Sequence, residues 1–150
     1  MIPKPMPAPH VFTLEEANAL LPRLSALIEA QSTRRTAIEE RLEQLARRLG
    51  GLPEAIQIEA GDPPDVRALK EDIIARVEAY QAAWRDVESL GAVLKDARQG
   101  LLDFFGHVDG KAVWLCWKYG ETAVTHYHGL DEGFAGRKAI PPAMRRHMLN

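Results

Sequence analysis

Cysteine is nearly absent from this chain of 150 residues, and a lone Cys116 excludes an intrachain disulfide. No run approaches the ~18 consecutive apolar residues that a membrane span requires. The CxxC, HExxH, P-loop and glycine-serine nucleophile-elbow patterns are missing too, so no complete catalytic motif stands in the sequence. An excess of charge of one sign is also lacking. A formal net charge of -2 gives no whole-chain bias toward nucleic acid or anionic membrane, and either partner would need a local patch. The first ten residues, MIPKPMPAPH, set alternating prolines where a signal peptide needs an apolar helical stretch. They predict an extended tail over residues 1–10, and with it a cytoplasmic protein.

What is present is ordinary globular composition, with 46% hydrophobic and 27% charged residues, which argues against a disordered chain. The length suits one domain with one core. The fold expected is α+β: a long antiparallel, coiled-coil-like helical hairpin over 13–91 and a small antiparallel β-meander of three or four strands over 92–134. A basic tail over 135–150 follows.

The hairpin is announced by Thr13 and Glu16, a capping box in which each side chain satisfies an orphan amide at a helix start. Pro22 removes an amide donor and crowds the preceding turn, so Leu14 to Leu21 is expected to form a separate helical arm. Leu21, Leu24, Ile28, Gln31, Arg35, Ile38, Leu42, Leu45 and Leu49 then recur at steps of three and four, a heptad seam with two polar layers. Gly50 and Gly51 end it. A second helix from about Asp65 carries Val66, Leu69, Ile73, Val77, Tyr80, Trp84 and Val87 on one stripe, with Gly91 as its stop.

Folding the helices back on each other sets Arg35 near Tyr80 and Gln31 near Trp84. This predicts a polar-aromatic lock in which Arg35 lies on the Tyr80 ring and Gln31 bonds the Trp84 indole, or in which Arg35 runs out to solvent. Ile74, Ala75, Ala79, Ala82 and Ala83 lie off the main stripe and call for a cover: the sheet, the arm, or a second copy.

Beyond Gly91 the period changes. Residues 101–108, 111–118 and 123–128 read as strands, Val93 to Lys95 as a possible edge strand, and Asp109-Gly110 as a two-residue hairpin turn. The reactive side chains gather in this region: Asp103, His107, Cys116, His126, His128 and Asp131. Imidazole, thiolate and carboxylate are transition-metal donors, and His-Tyr-His places two imidazoles on one face of a strand. His107, Cys116, His126 and His128 are the candidate ligands. The Asp109-Gly110 turn sets His107 opposite Ala112 and Asp103 opposite Cys116 on one face. A three-residue second turn brings His126 and His128 to that face beside Trp114 and Ala112; a two-residue turn sends them to the other, beside Leu115 and Val113. Packing with a ring nitrogen on backbone is the bland reading of the same residues.

The segments FTLEEANALLPRL, VWLCWKYGE and HGLDEGFAGR together resemble a bacterial family known as domain-of-unknown-function family 2203, over nearly the whole chain. The resemblance implies shared architecture and draws attention to Glu15, Asn18, Cys116, Trp117, His128, Asp131, Gly133, Gly136 and Arg137. Of these, Glu15, Asp131 and Arg137 are expected to form a polar cluster with His128 around one cleft.

Three functional expectations follow. The heptad seam favours a non-enzymatic scaffold acting as a homodimer. The histidines and Asp131 favour a small metal- or ligand-binding protein, with a hydrolase as its enzymatic form. Arg137, Lys138, Arg145, Arg146 and His147, with no acidic residue from Phe134 onward, favour nucleic acid least.

Overall fold

The computed structural model describes residues 10–142; residues 1–9 of the extended tail expected over 1–10, and Arg145, Arg146 and His147 of the basic tail, lie outside the described residues. Two helices precede five strands: α1 (Leu14–Leu49), α2 (Pro64–Ser89), β1 (Val93–Asp96), β2 (Leu101–Val108), β3 (Lys111–Lys118), β4 (His126–His128) and β5 (Lys138–Ala139). Packing divides the chain into two units, one holding Leu27–Asp86 and the other the residues up to Ala26 together with those from Val87 onward. Among the described residues no helix is long and apolar enough to cross a membrane.

The start of α1 is set by the expected box: Thr13 N donates to Glu16 Oε1 at 3.0 Å and Glu16 N to Thr13 Oγ1 at 3.1 Å. The separate arm is not formed, because α1 runs through Pro22 without a break. Proline removes only the rung to the carbonyl four residues back, and Pro22 stands on the exposed side, where such a carbonyl is open to water. Leu14, Ala17, Leu21 and Leu24 stay buried in one phase across it.

In the Leu27–Asp86 unit, Leu45, Val66 and Ile73 form the core, with Leu42, Ile56, Leu69 and Val77 packed around them. One ion pair links the two helices, and another ties the connecting loop to α2. Asp72 accepts from Arg41 Nε at 2.7 Å and from Arg76 Nε at 2.9 Å, while Lys70 donates to Asp62 at 2.9 Å and to the Gln57 carbonyl at 2.8 Å. The polar layers meet, but through other atoms than the sequence suggests. Gln31 Nε2 donates to the Tyr80 carbonyl at 2.8 Å rather than meeting the Trp84 indole, and Arg35 Nε donates to the Tyr80 hydroxyl at 3.4 Å. Trp84 joins edge-on to Tyr80, with ring centroids 5.8 Å apart. A buried amide takes the nearer acceptor, and the α2 backbone offers one. Ala75, Ala79 and Ala82 stand exposed on α2.

In the other unit the strands form an antiparallel sheet in the order β1-β2-β3-β4-β5. Asp109 and Gly110, at φ 55° and 75°, make the tight turn that a right-twisted hairpin prefers. It holds Asp103 opposite Cys116 and His107 opposite Ala112. The fifth strand lies in the segment expected as basic tail: Lys138 pairs with Tyr127, and Ile140 N donates to Thr125 O at 2.8 Å, carrying the fully buried Ile140 into the core.

Alternation sorts the sheet into two faces. Leu102, Phe104, Leu115 and Trp117 share one and are fully buried, with Phe12 set edge-on to Phe104 at 5.1 Å. The opposite face buries Leu101, Asp103, Cys116 and His128. An acid, a thiol and an imidazole thus stand where apolar side chains are the norm.

Candidate metal centre

Strand pairing carries these three groups together. Asp103 on β2 faces Cys116 on β3, and His128 on β4 faces Trp114, one step diagonal from Cys116. Neither anticipated second turn occurs. Residues 119–125 form a longer connection, anchored by Trp117 Nε1 to the Glu121 carbonyl at 2.9 Å and by Val124 N to Asn18 Oδ1 at 2.7 Å. It sets His126 opposite Cys116 and His128 opposite Trp114, the face that holds Asp103.

One donor atom from each of Asp103, Cys116 and His128 lies within 4.8 Å of the others. His128 Nε2 stands 2.9 Å from Asp103 Oδ2, and the two side chains are 3% and 2% exposed. The second ring nitrogen settles the chemistry of the first. His128 Nδ1 is 2.9 Å from the Gly129 carbonyl, which only accepts, so Nδ1 carries the hydrogen. Without a second proton, Nε2 would direct its lone pair at a carboxylate oxygen. Two lone pairs at that distance repel unless a proton or a metal cation lies between them.

Burial pushes the Asp103 carboxyl above its ordinary range, against the pull of the His128 charge and hydrogen bond and of the Lys95 charge. It pushes the Cys116 thiol up to about 12, helped by the neighbouring Asp103 charge. A thiol so placed is no nucleophile on its own; a cation would be needed to hold it as thiolate.

The cluster forms the wall of a cavity of about 300 Å³ that is also lined by Lys95, Leu101, Glu132 and Phe134. The turn after β4 builds its far side. Glu132 Oε2 accepts from Gly129 N at 3.4 Å, and a Cβ on Gly136 would fall 2.7 Å from the same oxygen, so a side chain at position 136 would push the Glu132 carboxylate aside. Arg137 donates to Glu121 Oε1 at 3.0 Å and stacks over Phe134, its guanidinium carbon 4.5 Å from the ring centroid. It braces the wall from behind.

The expected ligands are brought together only in part. Cys116 and His128 converge, while His107 is exposed and its ring sits against Phe105, 6.0 Å between centroids. His126 turns its Nδ1 to Thr125 Oγ1 at 2.9 Å and is not in the donor group. Glu15 and Asp131 are exposed, Arg137 is engaged with Glu121, and none of the three lines the cavity. The carboxylate of the cluster is Asp103, not Asp131. A lone acid inside the apolar run LLDFF was the signal for it. Lys95 and Glu132 left no such signal, since either type on a strand edge or turn is ordinarily solvated.

Fold and site together define a class: an α+β protein whose antiparallel sheet buries an Asp-Cys-His donor set at the wall of a small cavity. By its sequence over residues 10–140 the chain belongs to the family described as uncharacterized conserved protein (DUF2203). No curated protein and no solved structure matches it.

Proposed function

We propose that this protein binds one divalent transition-metal ion through Asp103, Cys116 Sγ and His128 Nε2, with a further position open to the cavity. The carrying observation is the Gly129 carbonyl on His128 Nδ1, which takes that hydrogen and leaves Nε2, beside Asp103 Oδ2, as the nitrogen that would ligate once an ion displaces the proton between them. A mixed N, O and S donor set suits Zn(II), and Co(II) or Ni(II) as substitutes. Three protein ligands beside a cavity are the arrangement of a site that receives a ligand at the metal, rather than of a closed structural site. A free thiol ligand is best kept in a reducing compartment, which supports a cytoplasmic location.

Titrating metal-free protein with Zn(II) or Co(II) tests this. One equivalent should bind, Co(II) should show thiolate charge-transfer absorption, and unfolding should shift upward by about 2.7 kcal/mol at a hundredfold excess over Kd. Asp103→Asn should fold yet lose the ion. Uptake that is absent, or unchanged in Asp103→Asn and His128→Gln, would refute the site.

A second reading is self-association through the hairpin, for which Ala75, Ala79 and Ala82, exposed on α2, are the supporting observation. A strict monomer by light scattering at high concentration would remove it.

A further inference from the structure

One carboxylate on the cavity lining stands apart from the donor set. Glu132 lines the same cavity as Asp103, Cys116 and His128, yet it is outside the group whose donor atoms lie within 4.8 Å of one another. Among the described residues its carboxylate has one hydrogen bond, the long 3.4 Å contact from Gly129 N. The turn fixes where it stands. Glu132 N donates to Gly129 O at 3.1 Å, directly after the ligand His128, and the absent side chain of Gly136 leaves the space that Glu132 Oε2 occupies. A carboxylate that borders the site, falls outside the donor set and is weakly engaged is placed to take a proton from a group held at the open position of the metal.

The rest of the lining narrows what that group attacks. Besides the donor set it carries one ammonium, Lys95, and two carboxylates, Asp96 and Glu132, so it has no positive excess with which to hold a phosphate dianion. Leu101 and the Phe134 ring give the cavity apolar walls. At about 300 Å³ the space is at the small end of ligand cavities, about 300–1,000 Å³. A small uncharged compound with a short apolar group suits such a lining.

Resting on the metal reading above, we propose that the protein hydrolyses a small uncharged carboxylic ester, with Glu132 as the general base. Water at the open position, acidified by the cation, gives a proton to Glu132 while its oxygen bonds to the ester carbonyl carbon. The cation meets the charge that develops on the carbonyl oxygen. The bond from that carbon to the alcohol oxygen then breaks, and the proton held by Glu132 passes to the departing oxygen. One ester and one water become one carboxylic acid and one alcohol, with no change of oxidation state.

The test uses the full chain loaded with Zn(II), and the zinc-free protein sets the background from exposed nucleophiles such as His107. Hydrolysis of para-nitrophenyl acetate should saturate above that background, while para-nitrophenyl phosphate should stay at it. Glu132→Gln should lower kcat at least about a hundredfold, as expected for loss of a general base, and leave Zn(II) affinity, read by competition with a chromophoric chelator, unchanged. Acetate turnover no faster than in the zinc-free protein, an equal rate on the phosphate ester, or an unaltered kcat in Glu132→Gln would each overturn the hydrolytic assignment alone. Weakened Zn(II) binding in Glu132→Gln would make Glu132 a ligand and overturn its role as base. No uptake of Zn(II) by the parent chain would overturn the metal centre and this activity with it.

Discussion

Replacing Gly91 by alanine tests how the chain leaves α2. Gly91 takes φ +95° and donates its N–H to Glu88 O at 2.9 Å, closing the helix. An L-residue held at such a φ costs about 1–2 kcal/mol. Alanine also has no room, since its Cβ would lie 2.6 Å from Phe12 Cζ and 2.9 Å from Cε2. The ring has little freedom to yield: Phe12 is buried, sits edge-on to Phe104, touches His10 at 4.4 Å between centroids, and donates its N–H to Phe105 O at 2.7 Å. Overpacking of this kind adds about 1–3 kcal/mol. Gly91→Ala should therefore lose about 2–5 kcal/mol in urea unfolding followed by tryptophan fluorescence. Gly120 is the internal control, because it has φ +101° with nothing within 4 Å of a Cβ. Gly120→Ala should cost only the strain, about 1–2 kcal/mol. Placed on a Phe12→Leu background, Gly91→Ala should fall toward the Gly120→Ala figure. Equal losses for the two glycine variants in the parent chain would refute the wedge.

Three further outcomes follow from the same geometry. Cys116, the sole cysteine, should react with iodoacetamide at pH 8 about a thousandfold more slowly in the folded metal-free protein than in urea, since its pKa rises from 9.0 to about 12; mass spectrometry of the alkylated chain reads this directly, and comparable rates would refute it. Gln31→Leu should cost about 1 kcal/mol in thermal unfolding, the usual worth of a buried hydrogen bond, and an unchanged Tm would show that the Tyr80 carbonyl contact contributes nothing. Hydrogen bonds from Arg76 and then Arg41 hold Asp72 below its ordinary 3.8, so its contribution is present above that value and is lost as pH falls through the lower folded value. Asp72→Asn should flatten that acid limb of the stability curve, and an identical limb would remove the pair from the account.

Local chemistry was legible in the sequence where one turn decides the outcome. Thr13 and Glu16 mark a helix start that no distant residue contests, and Asp109-Gly110 leaves β2 and β3 a single register, so Asp103 facing Cys116 follows from spacing alone. Distant partners decide the remainder. The connection after β3 takes its shape from Asn18 bonding Val124 across 106 residues, and β5 exists because Ile140 docks beside Thr125. The proline rule failed at Pro22 because a buried stripe held the helix in phase across one lost rung. At Gln31 the pairing of layers was readable but the bonded atom was not, since that depends on rotamers and on a nearby backbone acceptor.

The connection over 119–125 has a consequence for how the chain tolerates change. In a tight hairpin, adding one residue to the turn flips every following side chain across the sheet. Here the strand is registered by its neighbours on both sides, β3 and β5, and the connection is tethered at Glu121 and Val124. Thr122, exposed between those tethers, offers slack that does not reach β4. A short glycine-serine insertion there should leave His128 facing Asp103, making this edge of the Asp-Cys-His cluster a place to graft a reporter segment.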